Sequence, residues 1–159
     1  MAENRLAAPK PLDEHRKLSA FAGEWSGEET VYPSRWVEGG KATSRVVARM
    51  DLNGFYLIQD THQTRDGNES FATHGVFTYD REDRLYKLLW HDSLGYFAPA
   101  PASGGWKDNK LTLVRGSLRG IARHIYEVID ADTYSMKIQF SPDAEGWADV
   151  LTGAYRRVK

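Results

Sequence analysis

From Gly23 onward apolar and polar residues alternate with a period of two, in short runs separated by turn residues. That period predicts β-strands with one buried and one wet face. Strands are expected near Glu24–Tyr32, Thr43–Leu52, Phe55–Gln63, Ser70–Tyr79, Leu85–His91, Tyr96–Ala100, Leu111–Arg115, Ala122–Ile129, Tyr134–Phe140 and Ala148–Val158. Gly39-Gly40, Asn53-Gly54, Asp66-Gly67, Gly104-Gly105 and Asp108-Asn109 are among the turn signals between them. Ahead of Gly23 the spacing changes. Leu12, His15, Leu18, Phe21 and Ala22 recur at helical intervals, Pro11 suits a first turn, and Asp13 and Glu14 suit the positive end of a helix dipole. A short amphipathic helix is therefore expected over Pro11–Ala22.

About ten sequential strands in one open sheet would accumulate twist and leave long unpaired edges, so the sheet is expected to curl shut. The fold class that follows is all-β: a single antiparallel up-and-down barrel, with the short N-terminal helix capping one end. Residues 1–11 read as a flexible arm and residues 12–159 as one barrel domain. No fixed-period repeat marks a propeller or solenoid. Ala98 to Gly105, rich in proline and small residues, reads as a rim loop.

Phe71–Gly95 is the clearest hairpin, two aromatic-rich runs around Asp80-Arg81-Glu82-Asp83-Arg84. If Asp66-Gly67 closes a two-residue turn and Tyr79 faces Leu85, one wall holds Phe55, Leu57, Gln59, Thr61, Ala72, His74, Val76, Thr78, Tyr86, Leu88, Trp90 and Asp92. The opposite wall then holds Tyr56, Ile58, Asp60, His62, Phe71, Thr73, Phe77, Tyr79, Lys87, Leu89 and His91. The charged and polar members of the second set mark it as the outside. Gln59, His74, Tyr86, Trp90 and Asp92 are thereby expected to converge on the lumen, a few polar groups in an apolar interior, as in small-molecule pockets. A one-residue bulge in either turn would reverse a wall.

Lysine and arginine total 21 against 22 acidic residues, a formal charge of −1, which gives no electrostatic reason to expect nucleic acid or an anionic membrane. With no cysteine, disulfides, thiolate metal sites and thiol nucleophiles are excluded. No run is long and apolar enough for a membrane helix and the first residues lack an apolar leader core, so a cytoplasmic protein is expected. Aromatic residues make up 12% of the chain, with five tryptophans and eight tyrosines, which suits either a β core or an aromatic-lined pocket.

Gly75-x-x-x-Tyr79-Asp80, Tyr86-x-x-x-Trp90-x-Asp92-Ser93, the GGWKDNKL run from Gly104 to Leu111 and the closing Tyr155-Arg156-Arg157 resemble the bacterial DUF1579 family of uncharacterised proteins, as does His15-x-x-Leu18-x-x-Phe21-x-Gly23-x-Trp25. The likeness spans His15 to Arg157. It implies a calycin-type barrel similar to lipocalins and fatty-acid-binding proteins, and it carries no activity. Gly23-Glu24-Trp25-Ser26-Gly27 through Tyr32-Pro33 also looks like the start of nitrobindin-type barrels, which hold heme through a histidine on the final strand. Here Trp147–Arg157 contains no histidine, so no cofactor is expected. Heme would need His74 or His124 as an unorthodox ligand.

For catalysis the sequence offers little. The five histidines form no H-x-H or H-E-x-x-H arrangement, and phosphate-binding glycine patterns are absent. His74 with Asp92 is the one candidate dyad, for a hydrolase or isomerase, and no nucleophile elbow accompanies it. Binding asks less: an aromatic lumen and one or two polar anchors. Tyr155 and Arg157 share a face near the end of the last strand, where fatty-acid-binding barrels hold a carboxylate, and they complete the expected ligand-binding set. The leading expectation is a lumen that takes a small, largely apolar molecule; a homodimerising structural module built on the outer apolar face is the third reading.

Overall fold

The computed structural model describes residues 6–159. Residues 1–5, part of the expected arm, lie outside the described residues. Ten strands form a closed antiparallel barrel: β1 (Gly23–Val31), β2 (Gly40–Asp51), β3 (Tyr56–Arg65), β4 (Asn68–Asp80), β5 (Leu85–Asp92), β6 (Ala102–Lys107), β7 (Lys110–Ser117), β8 (Gly120–Asp130), β9 (Thr133–Ser141) and β10 (Ala148–Arg157). Each strand pairs with its neighbours in sequence, and β1 also pairs with β10, from Trp25 opposite Arg157 to Val31 opposite Leu151. The sheet is thus closed on itself, its shortest ladder being β5–β6 from Tyr86 to Leu88. Among the described residues no helix is long and apolar enough to cross a membrane.

The expected helix is shorter than its spacing suggested. α1 (Asp13–Lys17) is followed at once by a 3-10 turn over Leu18–Phe21. Pro11 and Leu12 precede it, and His15 Nδ1 accepts the Leu12 N–H at 3.0 Å, satisfying a helix-start donor that has no partner within the helix. The segment plugs one end of the barrel. His15, Leu18 and Phe21 are buried, and the Tyr86 hydroxyl donates to the Glu14 carbonyl at 2.8 Å. Phe21 packs against Tyr126 and Tyr134, and Trp25 against Tyr134, with ring centroids 4.7–5.7 Å apart. The Trp25 indole N–H donates to the Phe21 carbonyl at 3.0 Å. Edge-to-face contacts of this kind each contribute about 1 kcal/mol beyond burial, and this cluster of rings seals the end.

Two expectations are corrected. Tyr96–Ala100 is not a strand; the sixth strand is Ala102–Lys107, and the loop before it carries Pro99 and Pro101, which cannot donate to a ladder. Gly104 lets β6 run there, because a Cβ at this position would collide with the backbone carbonyl of Thr112. The second correction concerns the walls of the β3–β4–β5 sheet. Arg65 does face Asn68 across a two-residue turn, but the register shifts by one between Gln63 and Thr64, so Leu57 faces Phe77 and Gln59 faces Gly75. The next turn is one residue shorter than expected, with Asp80 rather than Tyr79 opposite Leu85. The two slips cancel for β5 and reverse β4. Gln59, Tyr86, Leu88 and Trp90 point inward as expected, whereas His74 and Val76 lie on the outside and Thr73, Gly75 and Phe77 line the interior.

Candidate functional site

The end opposite α1 is open. There the β1–β2, β3–β4, β5–β6, β7–β8 and β9–β10 connections surround a cavity of about 930 Å³. Its deeper lining is apolar, with Phe71, Trp90, Ile138, Phe140 and Leu151 from four strands, and its mouth is edged by Trp36, Leu94, Tyr96 and Phe97. The Trp36 and Tyr96 rings, from the β1–β2 and β5–β6 loops, lie 6.0 Å apart. Binding sites for drug-sized molecules span about 300–1,000 Å³ and combine such a lining with a few placed polar groups.

Three polar groups define the floor. His124 alternates with Tyr126 along β8 and so faces inward; it is 1% exposed, its ring is 4.8 Å from that of Trp90, and neither nitrogen has a hydrogen-bond partner. Burial, helped by the Arg115 charge, pushes its pKa down to about 3, so the imidazole is neutral at pH 7 with one donor and one acceptor unused. Arg115 follows Leu111 and Leu113 on the inner face of β7 and is half-buried, and desolvation lowers its pKa against the opposing influence of Asp92. Asp92 in turn is committed: Oδ2 accepts the Trp90 indole N–H at 2.8 Å and Oδ1 accepts the Leu94 amide at 3.0 Å.

One wall is braced by a buried carboxylate. Glu29 accepts from the Gln63 amide at 2.6 Å and from the Tyr155 hydroxyl at 2.7 Å, and Gln63, which reaches the cavity, accepts from Ser70 at 2.9 Å. Tyr155 can lie flat against the sheet because Gly27 leaves room; a Cβ there would run into the tyrosine ring. Burial raises the Tyr155 pKa well above its ordinary value, with the Glu29 charge adding to it, so the phenol stays a donor.

Of the residues singled out in the sequence, Trp90 and Asp92 line the cavity. Gln59 is buried in the wall outside the lining, and Tyr86 belongs to the plugged end, where burial lifts its pKa to about 12. Tyr155 serves Glu29. Arg157 lies at the plugged end too, donating to the Ala22 carbonyl at 2.7 Å and covering Trp25. His74 is on the outer surface with its Nδ1 2.6 Å from Asp60, and Asp92 is opposite Thr73, so His74 and Asp92 face opposite sides of the sheet and form no dyad. The residues missed were Arg115 and, as part of a floor, His124. Their signal was parity: Leu111, Leu113 and Arg115 alternate on one face, as do Ala122, His124 and Tyr126. Among the described residues no cluster of three metal-ligating side chains occurs.

The family model for DUF1579, a protein of unknown function, matches residues 10–157, and the chain belongs to that family. No curated protein matches it in sequence. Its fold is similar to that of Rv2717c from M. tuberculosis, at 14% identity and a TM-score of 0.69 over 93% of this chain and 99% of that one. It is also similar to the S-type phycobiliprotein lyase CPES from Guillardia theta, at 13% identity and a TM-score of 0.63 over 91% of this chain and 92% of the other.

Proposed function

We propose that this DUF1579 protein binds a small, largely apolar molecule in the open half of its barrel. The observation that carries the reading is the floor: a cavity of about 930 Å³ ends on Trp90 and on a buried His124 whose two nitrogens are both unpartnered. Buried polar groups are ordinarily hydrogen-bonded, and leaving one unmade costs about 1–3 kcal/mol. A ligand that reaches His124 satisfies a group the fold leaves open, while the aromatic lining takes its apolar body. Barrel architecture alone does not decide function; the composition of the lining is what supports this reading.

N-phenyl-1-naphthylamine, a neutral apolar fluorophore, tests this. A saturable rise in its emission at one site per chain is expected, with energy transfer from tryptophan. Ala122→Trp places a bulky side chain in the lining and is expected to abolish the signal, and Leu151→Trp on another wall provides an independent block; far-UV circular dichroism confirms that each variant is folded. Absence of a saturable signal, or a signal that both folded variants retain, overturns the proposal.

A further inference from the structure

The geometry points to a ligand that carries a single carboxylate, received at the cavity floor by Arg115 of β7 and His124 of β8. This deepens the binding reading above and rests on it. Arg115 is a half-buried lining residue that, among the described residues, forms no ion pair within 4.0 Å and no side-chain hydrogen bond. The other arginines of the lining are differently placed. Arg65 donates to the Glu38 and Gly39 carbonyls, while the exposed Arg35 and Arg119 lie over the rings of Trp36 and Tyr96 at 4.9 and 4.2 Å. Of these lining arginines Arg115 alone combines partial burial with five free donors, and a partly desolvated guanidinium in no direct ion pair gains most from an incoming anion.

The neighbours limit that anion to one charge. The charges of Asp92 and Arg119 both act on Arg115 and oppose one another, and the Asp92 oxygens are held by Trp90 and Leu94. With two guanidinium groups and one carboxylate the floor carries one positive charge, which a monocarboxylate balances and a dianionic phosphate exceeds. His124 contributes its N–H without adding a positive charge, since the imidazole is neutral. Two oxygens of one carboxylate can then be shared between the guanidinium and the imidazole. The rest of the cavity, with Phe71, Ile138, Phe140 and Leu151, suits a hydrocarbon or aromatic body. The chemical class is an amphipathic monocarboxylic acid.

Displacement of N-phenyl-1-naphthylamine from the full chain at pH 7.5 tests this with dodecanoate, methyl dodecanoate, dodecyl phosphate and dodecylamine. Dodecanoate is expected to compete at concentrations at least ~10-fold lower than its methyl ester, in line with the strength of a charge-assisted hydrogen bond, with dodecyl phosphate and dodecylamine weaker than the acid. Arg115→Met is expected to erase the preference for acid over ester, read as the ratio of the two competing concentrations within the same variant, and Arg115→Lys to retain part of it. Equal competition by acid and ester in the wild type, or an acid preference that survives Arg115→Met, overturns the carboxylate assignment and leaves the apolar cavity standing. Failure of the dye itself to bind removes both.

Discussion

Acidification should destabilise the barrel through His124 well before its carboxylates protonate. The folded chain holds this imidazole neutral, with a pKa near 3, against an ordinary value of 6.5. The unfolded chain therefore takes up a proton that the folded chain refuses, and the stability conferred is complete above about pH 6.5 and lost as the pH falls toward 3. The slope approaches about 1.4 kcal/mol per pH unit, one proton's worth, which amounts to about 2.5 kcal/mol between pH 7 and pH 4.5. That loss depends little on the folded value once it lies well below 4.5, and it is a large part of the ~5–15 kcal/mol typical of a domain. His15, also lowered chiefly by burial, adds in the same direction. Trp90 from β5 packs on His124 and Ile138 from β9 lies opposite it, Asp92 is committed to Trp90 and Leu94, and the charge that acts on the imidazole is that of Arg115, which opposes protonation. Urea denaturation followed by far-UV circular dichroism across this pH range, on the wild type, His124→Gln and His124→Phe, reads the effect. Each protein is compared with its own stability at pH 7, so any packing offset cancels. The variants should lose about 2.5 kcal/mol less than the wild type; parallel pH profiles would refute the reasoning.

Glu29→Leu removes the acceptor for both the Gln63 amide and the Tyr155 hydroxyl, leaving two buried donors unpaired, and should lower the urea-derived stability by about 3 kcal/mol; a loss under about 1 kcal/mol would show that neither bond matters. Gly104→Ala drives a methyl group into the Thr112 carbonyl where β6 meets β7 and should cost about 3 kcal/mol, visible as a lower thermal midpoint, with an unchanged midpoint counting against the register described. His74→Ala breaks an exposed contact with Asp60 and should change stability by less than about 1 kcal/mol while leaving the dye titration as it is; a weakened titration would bring His74 back into the site.

The closed barrel was legible because strict alternation and turn residues are local signals, and closure follows from strand number. Even β5 was assigned its correct face, although by two compensating slips. What local pattern does not carry is register across a bulge: nothing in Gln63-Thr64 announces the shift that turns His74 outward and Phe77 inward. Sidedness also failed as a guide because the outer wall is not uniformly polar, with Ile58 and Leu89 on it. The site suffered for a different reason. A strand arginine is ordinarily solvated, and Arg115 differs only through its parity with two leucines, while the chemical interest of His124 lies in lacking partners, a property of packed neighbours rather than of sequence.

The seam between β1 and β10 has a bearing on how the chain reaches this structure. Trp25 and Arg157 are opposite one another although they stand near the two ends of the sequence. Long-range pairing of this kind is slow, because the loop entropy is paid before the contact rewards it. During synthesis the buried Glu29 waits for Tyr155, and the cavity wall that includes Leu151 is missing until the last strand emerges. A ribosome-bound chain ending before Ala148 should therefore present an open sheet with β1 paired to β2 alone and no competent pocket, which makes the final ten-residue strand the step that converts a sticky meander into a sealed container.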